Sequence, residues 1–117
     1  MEMNKYQELA ARTDTVINTD RLIKYGQLLN AAIGMVGEAC EFLEVVKKIV
    51  YHGHNLDNVT KDKLVKEIGD TKWYCAKAAR LLGVPLSYVA AINIEKLKNR
   101  YPDGFSEDKS INRDMDK

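Results

Sequence analysis

Two long segments of this chain repeat apolar residues at three-to-four-residue spacing, and acidic pairs interrupt both repeats. That pattern allows little except helix. Counting about 100° per residue from Met35, the residues Phe42, Val45, Val46 and Ile49 fall between about 280° and 20°, a single stripe. Glu38 lies at about 300°, inside the stripe, and Glu41 at about 240°, on its flank. From Leu64, the residues Ile68, Cys75, Ala78, Ala79 and Leu82 cluster around zero. Glu67 again lies at about 300° and Asp70 at about 240°. Each helix thus presents one core-side carboxylate with another beside it. Unpaired buried carboxylates are costly. Four of them converging make sense when a divalent cation holds them together. Against this stands the ordinary reading that they are solvated surface charges.

Composition narrows the setting. The chain has 117 residues, of which 45% are hydrophobic and 30% charged, with a net charge of +1. One soluble domain fits these values, and no broad nucleic-acid surface is expected. Two prolines and seven glycines are too few for a turn-rich β fold. No apolar run approaches the roughly 18 residues of a membrane span, and the N-terminus lacks a signal-peptide core. Cys40 and Cys75 have no metal-site spacing and read as reduced thiols of a cytoplasmic protein, although an inter-helix disulfide is an alternative.

Along the chain, residues 3–12 read as a short amphipathic helix. Residues 13–24, rich in Thr, Asn and Asp, read as a loop or irregular turn, because such side chains compete for backbone hydrogen bonds. A long helix is expected over 26–50, ended by Gly53. Thr60 is expected to cap a helix over 61–82, which Gly83 ends. Pro85 opens a last helix that reaches Arg100. A turn at 101–104 closes a domain of residues 1–105. Residues 106–117 form a charged tail, expected to be mobile. Four helices with short connections imply an all-α, four-helix-bundle-type fold. Ala31, Ala32, Gly34, Gly37 and Ala39 let another helix approach closely. That helix belongs either to this chain or to a second subunit.

Hard oxygen ligands favour Mg²⁺, Mn²⁺ or Ca²⁺. No EF-hand loop is present, and the Glu-x-x-His pairs of di-iron bundles are absent. Carboxylates around Mg²⁺ commonly serve phosphate chemistry. On the last helix Asn93, Lys96 and Arg100, spaced three and four apart, share a face that suits phosphate oxygens. Solvated charge is the ordinary reading of Lys96 and Arg100. Asn93, in an otherwise apolar stretch, is harder to dismiss.

Three runs then carry a family resemblance. They are Gly34-Met-Val-Gly-Glu-Ala-Cys-Glu41, Lys66-Glu-Ile-Gly-Asp-Thr-Lys-Trp-Tyr74 and Asn93-Ile-Glu-Lys-Leu-Lys-Asn-Arg-Tyr-Pro102. Together they resemble the MazG-like nucleoside triphosphate pyrophosphohydrolases of the all-α NTP pyrophosphatase superfamily. The likeness spans roughly residues 3 to 105. It implies a MazG-like helical domain completed by oligomerisation as a homodimer or homotetramer. It also implies hydrolysis of a nucleoside triphosphate to the monophosphate and pyrophosphate with Mg²⁺, for which Mn²⁺ substitutes. Glu38, Glu41, Glu67 and Asp70 become the metal ligands and catalytic acids. Asn93 and Lys96 contact substrate, Lys96 neutralises the leaving group, and Arg100 assists. Cys40 departs from the Gly or Ala common at its position.

Other residues have two readings each. Trp73, at about 180° and off the core stripe, is an interface residue or a base-stacking platform. Tyr74 lines the pocket or merely packs. His52 and His54 flank a helix-ending glycine without a third ligand. Lys47 and Lys48 complement the helix C-terminal dipole. The competing functions are a non-catalytic helical scaffold with a remnant acidic cluster, and a narrower hydrolase acting on dUTP or phosphoribosyl-ATP.

Overall fold

A computed structural model describes residues 1–112. Helix α1 spans Met3–Ala10 and runs into a 3-10 turn at Ala11–Thr13. Helices α2, Thr19–His52, and α3, Asn58–Leu81, follow, then α4, Leu86–Arg100, and α5, Glu107–Ile111. No strand occurs among the described residues, as the sequence predicts.

Two helix starts differ from expectation. α2 begins at Thr19, inside the stretch expected to be loop, because Asn18 caps it by accepting the Arg21 N–H at 3.0 Å. The polar residues that weaken a helix interior are those that start one, and Asp20 in the first turn complements the dipole. α3 is capped by Asp57, whose carboxylate accepts the Thr60 N–H at 2.9 Å, so Thr60 lies inside the first turn. The helix ends follow the sequence more closely. Gly53 (φ 70°) and Gly83 (φ 76°) take the left-handed conformation that favours glycine, and Pro85 precedes α4. The expected mobile tail begins instead with α5, capped by Ser106; residues 113–117 lie outside the described residues.

α2 and α3 form an antiparallel hairpin. Lys77 Nζ donates to Asn30 Oδ1 at 2.6 Å, the Cys75 thiol lies 3.6 Å from Met35 Sδ, and Tyr74 meets Gly34. A Cβ on Gly34 would fall into the Tyr74 ring, whereas one on Gly37 would meet nothing within 4 Å. The small-residue face is therefore divided: Gly34 serves a crossing within the chain, and Gly37 stays open. At Gly83 and Pro85 the chain turns by 98° between the axes of α3 and α4.

One chain does not close a bundle. Among the described residues only Ala31 and Ala79 are buried. The radius of gyration is 20.1 Å, against about 13 Å for a compact chain of this length. Along α2 a second apolar stripe, Leu29, Ile33, Val36, Leu43 and Val50, lies open; Ile33 is 63% and Val36 65% exposed. Exposed Cys40 belongs to the same row. This open layer accords with a fold completed by other subunits. No single helix among the described residues is long and apolar enough to cross a membrane.

Candidate active site

The antiparallel hairpin sets Glu38 on α2 opposite Glu67 and Asp70 on α3. One carboxylate oxygen from each of the three lies within 4.8 Å of the others. Glu38 and Glu67 are half-buried, and Asp70 is exposed at the edge. Desolvation, the hydrogen-bonding carboxyl of Glu67 and the charges of Asp70, Glu67 and Glu41 together hold the Glu38 pKa above its usual 4.5. When both glutamates are ionised neither can donate to the other, and the buried Glu67 Oε2 then has no hydrogen-bond partner. The Thr71 hydroxyl offers no relief, since it donates to the Glu67 carbonyl at 2.9 Å. A buried acceptor without a donor, beside two more carboxylates, is a donor set suited to a hard divalent cation. Glu41 stands outside the triad. It lies one turn on and exposed, near enough to raise the Glu38 pKa.

The remaining sequence-derived residues do not join the carboxylates within one chain. Lys96 and Arg100 share a recess of about 290 Å³ on α4 with Ile92, Glu95 and Asn99; Asn93 is exposed outside its lining. With the 98° turn, some ten residues along each helix separate Lys96 from Asp70 by roughly 20 Å at 1.5 Å per residue. Tyr74 packs on Gly34 and Trp73 stacks edge-on against it, ring centroids 4.9 Å apart. Trp73 is 61% exposed, in keeping with its off-core position. His52 and His54, with ring centroids 6.4 Å apart, gather no third metal ligand among the described residues. Sequence reasoning missed Glu95 and Asn99, which lie on one face with Ile92 and Lys96, a helical spacing legible in the sequence.

An all-helical hairpin that sets Glu38 of one helix opposite Glu67 and Asp70 of the next defines a class of carboxylate-bearing helical proteins whose acidic cluster could hold a metal ion. The chain belongs to one family within that class: residues 28–105 match the MazG nucleotide pyrophosphohydrolase domain. It is also 32% identical over 114 residues to the Gene 37 protein of Mycobacterium phage L5, covering 97% of this chain and all of the phage protein. No solved structure matches the chain.

Proposed function

We propose that the protein is a Mg²⁺-dependent nucleoside triphosphate pyrophosphohydrolase, converting (d)NTP and water into (d)NMP and pyrophosphate. The convergence of Glu38, Glu67 and Asp70 carries this reading. These three carboxylates would hold the ion, with Glu41 at the rim. Mg²⁺, or Mn²⁺ in its place, would neutralise phosphate charge and polarise the phosphoryl oxygens. Glu41, exposed to water, orients the attacking water and accepts its proton. Attack at the α-phosphorus breaks its bond to the bridging oxygen, and pyrophosphate leaves.

Lys96, Arg100 and Asn93 stand too far along α4 to reach the carboxylates of their own chain. In a homodimer or homotetramer they would approach the cluster of a neighbouring copy, where Lys96 would offset the charge of the leaving group. The open α2 stripe and the uncovered Gly37 support such an assembly. Trp73, exposed beside Tyr74, would contact the base or the neighbouring subunit. The two free thiols, Cys40 and Cys75, accord with the reducing conditions of a cytoplasm.

A panel of canonical and modified (d)NTPs with Mg²⁺, scored by product identity, tests the reaction. Pyrophosphate and a monophosphate are expected. Orthophosphate and a diphosphate would overturn the assigned bond cleavage, and no turnover across the panel would favour a helical scaffold.

A further inference from the structure

A second polar recess lies on the hairpin, toward its tip. Val45 and Lys48 of α2, His54 of the connecting loop, and Thr60 and Lys63 of α3 line a space of about 120 Å³. Apart from Val45, the lining is made of hydrogen-bond donors, and two of the side chains are cationic. Thr60, Lys63 and Glu67 are spaced three and four apart along α3, and Glu41, Val45 and Lys48 four and three apart along α2. Such spacing puts the recess on the same face of the hairpin as the acidic cluster. Along the helices, Lys63 lies about 6 Å from Glu67 and Lys48 about 10 Å from Glu41. Those spans suit a short polyphosphate with one end at the carboxylates and the other among the lysines.

The lysines are available for an anion. Lys48 approaches Glu44 at 3.9 Å, a long pairing between half-exposed side chains, and Glu44 is held more closely by Lys47 at 3.0 Å. Exposed pairs of this kind contribute little. Lys63 and His54 make no ion pair among the described residues. The volume is several times what an ordered water needs, so a phosphoryl group can enter.

We propose that Lys48, Lys63, His54 and Thr60 form a subsite for the terminal phosphates of the nucleotide, which selects triphosphates over monophosphates and first holds the departing pyrophosphate. This inference rests on the pyrophosphohydrolase reading for its substrate, but the recess can be probed without turnover.

The test is calorimetric titration of the full chain with inorganic pyrophosphate and, separately, a nucleoside monophosphate, both with Mg²⁺. The double variant Lys48→Ala/Lys63→Ala is compared with wild type and with Lys61→Ala, an exposed lysine outside the recess. Pyrophosphate affinity should fall at least tenfold in the double variant and stay within twofold in Lys61→Ala. Monophosphate affinity should change less than twofold in both. Lys48→Arg/Lys63→Arg should recover most of the pyrophosphate binding. Unchanged pyrophosphate affinity in the double variant, an equal loss for both ligands, or an equal loss in Lys61→Ala would each overturn the subsite. A wild type that hydrolyses no nucleotide yet shows the predicted pyrophosphate losses would sink the reaction and keep the subsite.

Discussion

The ring of Tyr74 occupies the space that a side chain on Gly34 would need, and this contact brings α2 and α3 together one turn before the carboxylates meet. Glu38 lies one turn after Gly34, and Asp70 one turn before Tyr74. The gap between the acidic pairs therefore depends on a glycine that contributes no chemistry.

Gly34→Ala should destabilise the protein by about 1–3 kcal/mol, the range for overpacking a well-filled contact. Gly26→Ala is the contrast. Its new Cβ meets nothing within 4 Å, so relief of the helical glycine penalty should stabilise by up to about 1 kcal/mol. Urea unfolding of both variants checks the opposite signs. A Gly34→Ala variant as stable as wild type would mean that the two helices do not cross so closely.

Metal should stabilise the fold through the triad. A cation that binds only the folded site contributes about 2.7 kcal/mol at a hundredfold excess over Kd. Mg²⁺ or Mn²⁺ should thus raise Tm by several degrees, and monovalent salt at equal ionic strength should do less. Glu38→Gln and Glu67→Gln should each abolish turnover and the metal response, while melting no lower than wild type without metal, since each removes a repelling charge. Full activity and an intact metal response in both variants would show that these acids are not the site.

The raised pKa of Glu38 also fixes the sign of a pH effect. The folded state holds this proton more tightly than the unfolded chain, so the contribution is fully present below the unfolded value of 4.5. It is lost as pH rises through the folded pKa. In metal-free protein, wild type should lose stability relative to Glu38→Gln across that interval, and added Mg²⁺, which binds the ionised carboxylates of wild type only, should reverse the sign of that change. Parallel stability curves for the two proteins over this interval would remove the assigned coupling.

Association should depend on the open stripe of α2. Light scattering at micromolar concentration should give a mass that is an even multiple of the 13.3 kDa chain. Val36→Asp or Leu43→Asp should shift it to the single-chain mass, since a charge would replace an apolar contact. Wild type running as a single chain would refute the assembly.

Much of the candidate site is legible in the sequence because helical phase is a local property. Glu38 and Glu67 sit at the same angle on their stripes, and both are half-buried in the structure. Gly53, Gly83 and Pro85 mark helix limits through backbone preferences that need no partner. The start of α2 is misread because Thr, Asn and Asp favour loops and helix caps alike, and the role of Asn18 depends on which neighbouring N–H it meets. A single core stripe also hides the second row from Leu29 to Val50, because one helix can be apolar on two sides when it has two sets of neighbours.

By itself the sequence determined that the chain is helical, where most helices end, and that each acidic pair shares a face, since these follow from residue preferences and a fixed rotation per residue. Only the tertiary structure decided that Glu38, Glu67 and Asp70 come together while Glu41 stays outside. That choice depends on the register in which α2 and α3 cross, set by Tyr74 against Gly34. The separation of Lys96 from the carboxylates has the same kind of origin. Spacing along α4 puts Lys96 and Arg100 on one face, but the 98° turn after α3 sets α4 on a second axis, so the distance from that face to its own chain's acids is not fixed by spacing. A rotation per residue describes one helix, and the angle between two helices comes from the packing between them.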